Sequence, residues 1–101
     1  MAARTSASPL RPIEHAIRAE LRRARRAADL TQEQIADATG GVVSVMTYRR
    51  IERGESHVDL EQLDALVAAI PGLTIAGLMA AAQRRLVVTA PADPGEAVRL
   101  D

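Results

Sequence analysis

Apolar residues recur at helical spacing from Ile13 onward: Ile13, Ile17, Leu21, Ala24 and Ala28 share one face, while Arg18, Arg22 and Arg26 fall on others. Pro12 suits the first turn of this helix. The string TQEQ at 31–34 then sets Thr31 three residues before Gln34, a capping box that starts a second helix at residue 31 or 32. Ile35, Ala36 and Ala38 give that helix a buried side, and Gly40 and Gly41 stop it near Thr39. Ser44 is the cap of a third helix, predicted over Val45–Arg53 before Gly54. Asp59 and Gln62 form another capping box, opening a fourth helix whose stripe is Leu60, Leu63, Leu66, Val67 and Ile70. Pro71 and Gly72 end it, and Thr74 caps a fifth helix carrying Ile75, Leu78, Met79, Ala82 and Leu86. Residues 1–10, rich in Ala, Ser, Thr and Pro, read as a flexible arm. Residues 87–101, with breakers at Pro91, Pro94 and Gly95, read as a flexible tail. The segment LVVT at 86–89 has strand propensity, but tail disorder is the preferred reading. The prediction is one ordered all-α domain over 11–86, built from five short helices with short connections.

Composition narrows this picture. The chain has 101 residues, enough for one core, and its 48% apolar content is nearly all Ala, Val, Leu and Ile, with one Tyr and no Phe or Trp. Such chains bury their area between closely packed helices. There is no cysteine, hence no disulfide framework and no thiolate metal site. No stretch approaches the roughly 18 apolar residues of a membrane span, and MAARTSASPLRP lacks the apolar segment of a secretory signal. A soluble cytoplasmic protein is expected. Net charge is zero, yet residues 1–53 hold ten Arg against six acids (+4), and residues 54–101 hold three against seven (−4). The first half is therefore the candidate anion-binding face. Every basic residue is Arg, a planar donor fork suited to phosphates and guanine edges.

The helix–Gly turn–helix layout at 31–53 is that of a helix-turn-helix, although αα-hairpins are common in structural bundles too. Here the residues resemble a known family. LTQEQIA at 30–36, a Gly turn, and S-x-x-T-Y-R-R-I-E-R-G at 44–54 are similar to the Cro/C1-type, or XRE, helix-turn-helix domain. VDLEQLDALVAAI at 58–70 and LTIAGLMAA at 73–81 match its following helices, so the resemblance covers about residues 17–82. The TYRRIERGE version is most similar to actinobacterial and actinobacteriophage repressor-like members. One departure stands out: GVV between Gly40 and Ser44 makes the turn about two residues longer than is usual.

The resemblance implies a five-helix, lambda-repressor-like domain that binds operator DNA, with helices two and three as the reading unit. It implies base-edge readout in the major groove by Val45, Met46, Arg49 and Arg50, with Arg50 ranked ahead of Arg49. An Arg there can hold guanine O6 and N7 with two parallel bonds, whereas Val45 and Met46 can only meet thymine methyls or exclude water. Phosphate contacts are implied for Gln32, at the start of helix two, and for Ser44, Thr47, Arg53 and His57. Arg25 matches an arginine that pairs with the Glu of the IE dipeptide, here Glu52, a structural ion pair between helices one and three.

Each reading has a plainer rival. Arg22, Arg23 and Arg26 read first as the wet side of helix one, and Arg4 as part of an arm without a role. Tyr48 reads as core, and His15 has no ligand partners, so no metal and no cofactor are expected. No nucleophile–base arrangement or phosphate-cradling Gly loop points to an enzyme. A protein-binding role is the stronger competitor, because antitoxins and adaptors use the same domain and the acidic second half suits a toxin or RNA polymerase. The same half suits a homodimer through helix five, as a two-fold operator requires. Taken together, these residues point to a repressor of phage or prophage type acting by operator occupancy.

Overall fold

The computed structural model describes residues 9–89, which form five helices: α1 (Pro12–Ala27), α2 (Gln32–Ala38), α3 (Val45–Arg53), α4 (Leu60–Ala69) and α5 (Ile75–Thr89). The caps act as their sequence spacing predicts. Thr31 Oγ1 accepts from the Gln34 amide at 3.0 Å, while the Gln34 side chain accepts from the Thr31 amide at 2.9 Å. Asp59 and Gln62 repeat the exchange at 2.7 and 3.0 Å. Ser44 accepts from the Thr47 amide at 3.1 Å, and Thr74 from that of Gly77 at 2.9 Å. In α1 the Glu14 carboxylate reaches back to the Arg11 amide at 2.8 Å, one residue before Pro12. Each such bond removes an orphan donor, worth about 1 kcal/mol when the cap is lost.

The core is assembled from the predicted stripes. Leu21, Ile35, Tyr48, Ile51, Leu66, Leu78 and Ala82 are all essentially sealed from solvent. The α1–α5 packing is the most extensive in the fold, followed by α2 against α3. Glu20 joins the first pair: buried on α1, it receives Arg23 at 2.8 Å and Arg85 of α5 at 2.5 Å. Burial pushes the Glu20 carboxyl up, and the bonds from Arg23 and Arg85 reverse this and hold it below the ordinary carboxylate range.

Two departures from the sequence reading are local. First, α5 runs on through Thr89, so residues 86–89 are helical rather than extended or part of a tail. The Arg85–Glu20 bond and the packing of Leu86 against the core anchor this last stretch. Residues 1–8 and 90–101, most of the predicted arm and tail, lie outside the described residues. Second, the link from α1 to α2 passes through Asp29 at φ 59°, a left-handed conformation that Asp tolerates better than most residues and that sequence periodicity does not reveal.

The enlarged turn before α3 has its own framework. Gly40 and Gly41 take φ of 68° and 96°, which few side-chain-bearing residues would accept. Thr39, buried at the end of α2, donates its hydroxyl to the Ala36 carbonyl at 2.6 Å and accepts from the Val43 amide at 3.1 Å. Val43 is thereby drawn into the core, and Val42 is turned outward beside the start of α3. Replacing Thr39 with the near-isosteric Val leaves the Val43 amide without its partner. The expected loss is about 1–3 kcal/mol, read as a lower denaturant midpoint with unchanged m value; an unshifted midpoint would show that the hydroxyl does not organise the turn.

Candidate nucleic-acid interface

On α3 the residues Met46, Arg49, Arg50 and Arg53 follow i, i+3, i+4 and i+7 spacing and share one face. Tyr48, Ile51 and Glu52 occupy the opposite, buried face. The face is presented because three features fix the helix: the Ser44 cap, the core residues Tyr48 and Ile51, and the terminus at Gly54. Gly54 adopts φ 78°, and a Cβ there would lie 2.9 Å from Arg18 Nε. The space a side chain would need is thus held by Arg18, whose Nη1 donates to the Glu52 carbonyl at 2.9 Å.

Glu52 is the hub beneath this face. Arg25 Nε donates to Glu52 Oε2 at 2.7 Å and Nη2 to Oε1 at 3.1 Å, while Nη1 donates to the Leu30 carbonyl at 2.9 Å. Gln32 Nε2 adds a further bond to Glu52 Oε1 at 2.9 Å. One carboxylate therefore ties α1, α2 and α3 together. Burial pushes the Glu52 carboxyl up, but the Arg25 bonds, with Gln32 adding to them, bring it below the ordinary carboxylate range. The same pairing raises the Arg25 guanidinium. The Tyr48 hydroxyl is buried beside this pair with no partner in hydrogen-bonding geometry among the described residues. Burial, reinforced by the Glu52 charge, pushes the phenol well above its usual range, so it stays protonated.

The network separates the arginines. Arg49 Nε donates to Gln32 Oε1 at 3.3 Å, and its Nη2 pairs with Glu33. Arg49 is thus half-buried and turned toward α2. Gln32, predicted for phosphate, has its amide committed at both ends, to Glu52 and to Arg49. Arg53 pairs with Glu55 at 3.2 Å on the surface. Arg50 is exposed, and its guanidinium has no hydrogen bond or ion pair among the described residues. Val45 and Thr47 flank the shared face and are half-buried, Ser44 is exposed at its leading end, and Met46 is 56% exposed. His57 stands apart from α3: its Nδ1 meets Glu14 of α1 at 2.5 Å, and the Arg11 amide, with this contact adding to it, draws the Glu14 carboxyl down.

Sequence reasoning missed three participants. Thr39 sets the turn, Glu33 holds Arg49, and Val42 stands exposed next to the reading helix. A polar residue after a helix and before two glycines is a signal for the first; the other two depend on tertiary placement. Among the described residues, no cluster of three or more His, Asp or Glu could hold a metal ion, and no helix is long and apolar enough to cross a membrane.

A family model described as helix-turn-helix matches residues 21–78, which is more than half of the chain. Two crystal structures of the clp gene regulator ClgR from Corynebacterium glutamicum are similar to the chain. One has a TM-score of 0.72 and 26% identity, covering 91% of this chain and 93% of the other. The second has a TM-score of 0.64 and 28% identity, covering 79% and 96% respectively. No curated protein sequence matches significantly. The fold, the capped α2–turn–α3 unit and the exposed face of α3 agree with these similarities: the chain belongs to the Cro/C1-type helix-turn-helix family and is a DNA-binding transcriptional regulator rather than an enzyme.

Proposed function

We propose that the protein reads a specific operator by laying α3 in the major groove and represses transcription by occupying the site against RNA polymerase. The observation that carries this reading is the exposed Arg50 on a helix fixed on its other face by Tyr48, Ile51 and the Arg25–Glu52 pair. A preorganised helix loses little freedom on docking, and a guanidinium without a prior partner gives up no protein contact when it binds guanine. Val45 and Met46 supply apolar contact toward thymine methyls, and Ser44, Thr47 and Arg53 are the proposed phosphate contacts around it. Gln32 contributes through its main-chain N–H at the start of α2, because its side chain is engaged, and His57 is the proposed contact farther out, beside α1. Such a regulator works in the cytoplasm, where the DNA is. Similarity to a regulator of clp genes supports a transcriptional role; phage-type immunity is the family-level form of the proposal.

One five-helix unit reads one half-site, so a homodimer is proposed on DNA. Leu60 at 84% and Val87 at 81% exposure are apolar groups left open on α4 and α5. They also support the competing reading, an antitoxin or adaptor whose main surface binds a toxin or RNA polymerase. The discriminating experiment footprints the purified protein alone on host genomic fragments and, in parallel, tests for a stoichiometric protein partner on purification from that host. Protection of a discrete two-fold site by the protein alone supports the repressor. A stoichiometric partner, with specific binding absent or dependent on it, supports the antitoxin or adaptor.

A further inference from the structure

Beside the α3 face lies a surface depression of about 760 Å³, lined along one wall by arginines of α1 and along the other by Arg53. Those arginines are not equivalent. Arg25 is locked on Glu52 and the Leu30 carbonyl, Arg18 on the Glu52 carbonyl and His15, and Arg53 is paired with Glu55. Arg22 and Arg26 differ from all three: both are exposed, and the guanidinium of neither makes a hydrogen bond or ion pair with the described residues. Their neighbour Arg23, on the next face of α1, is committed to the buried Glu20.

The carboxylates around the depression are largely answered. Glu52 is met by Arg25, Glu55 by Arg53 and Glu33 by Arg49, leaving Asp29 as the one lining acid with no ion pair among the described residues. Two unpaired guanidiniums therefore stand one helical turn apart, about 6 Å along the axis, on the rim of a recess continuous with the α3 face through Arg53. Unpaired cations at that spacing have the charge and reach for successive phosphates of a single strand.

We propose that Arg22 and Arg26 form a phosphate clamp, seating the DNA backbone that borders the groove entered by α3. This rests on the reading that α3 docks in the major groove, because only then does a backbone cross the depression. The clamp positions the duplex and contributes no sequence readout. Its ligand is the phosphodiester backbone of duplex DNA, so the effect is the same on any sequence.

The test measures binding of the full chain to a random-sequence duplex across a salt series. Neutralising a phosphate contact steepens log K against log salt by about 0.9. For Arg22→Gln/Arg26→Gln the slope is expected to flatten by nearly two relative to the unaltered protein, so the affinity gap between them narrows about tenfold from 50 to 200 mM salt. An Arg11→Gln/Arg84→Gln control removes equal charge from residues outside the depression and is expected to leave the slope close to that of the unaltered protein. Circular dichroism and thermal melting verify that both variants remain folded. A slope unchanged by the clamp substitutions, with the unaltered protein binding normally, overturns the clamp and leaves the regulator reading intact. Equal flattening by the control overturns it as well, because bulk charge then explains the effect. If the unaltered protein binds no duplex at all, the DNA-binding reading fails and the clamp with it.

Discussion

Arg25→Ala is expected to remove about 3–5 kcal/mol of folding stability, lowering the melting temperature by on the order of 15 °C or more. The magnitude follows from where the pair sits. The Arg25 and Glu52 side chains are only 12% and 4% exposed, and their two parallel bonds are joined by those from Gln32 and to the Leu30 carbonyl. Deleting the guanidinium leaves a carboxylate in a site that disfavours its charge, so the penalty exceeds the net worth of the pair itself. A loss of this size is a large share of the 5–15 kcal/mol that a small domain typically possesses.

The loss carries a pH signature. In the intact protein the Glu52 carboxyl is depressed, so its stabilisation is fully present above the ordinary value of 4.5 and is lost as pH falls through the lower folded value. In Arg25→Ala the chief depressing partner is gone and burial dominates, so protonation of Glu52 stabilises the variant. The gap between the two proteins is therefore expected to narrow from pH 7 toward pH 4. Parallel stability curves across that range would show that Glu52 is not the group left stranded.

Arg50→Ala is expected to weaken binding to the selected operator by about 10–100-fold, the equivalent of roughly 1–3 kcal/mol for a bidentate guanine contact. Binding to random duplex should fall far less, and melting should be unchanged, because Arg50 is exposed and supports nothing in the fold. Arg49→Ala provides the contrast. Its guanidinium is already held by Gln32 and Glu33, so its removal is expected to affect the α2–α3 junction more than base discrimination. Comparable losses at specific and random sites for Arg50→Ala would reduce Arg50 to a phosphate contact.

What could be read from the sequence was local chemistry. The capping boxes at Thr31–Gln34 and Asp59–Gln62, the Ser44 cap and the apolar stripes are all set by spacings of three or four residues, and each element starts where they place it. The Arg25–Glu52 pair came from family resemblance, since 27 residues separate the partners and no local pattern links them. The C-terminal boundary of α5 was less legible because Val87 has weak helix propensity, while the tertiary anchor at Arg85–Glu20 reaches across 65 residues. The same limit hid the sorting of the arginines. Arg22 and Arg23 are indistinguishable as residue types, yet one borders the depression unpaired and the other is held by Glu20. Arg49 and Arg50 adjoin in sequence, yet only the first lies within reach of Glu33. Pairing of this kind is fixed by the crossing of helices rather than by the order of residues.

The central claim is that Arg50 reads guanine from the major groove. Its most direct test is a cycle between protein and base: operator selected from a random duplex pool, with each guanine replaced in turn by 7-deazaguanine, which lacks the N7 acceptor. One position in each half-site is expected at which the replacement weakens the unaltered protein about tenfold, because one bond of the bidentate contact is lost, and leaves Arg50→Ala binding unchanged. Equal weakening of both proteins at every position would contradict it.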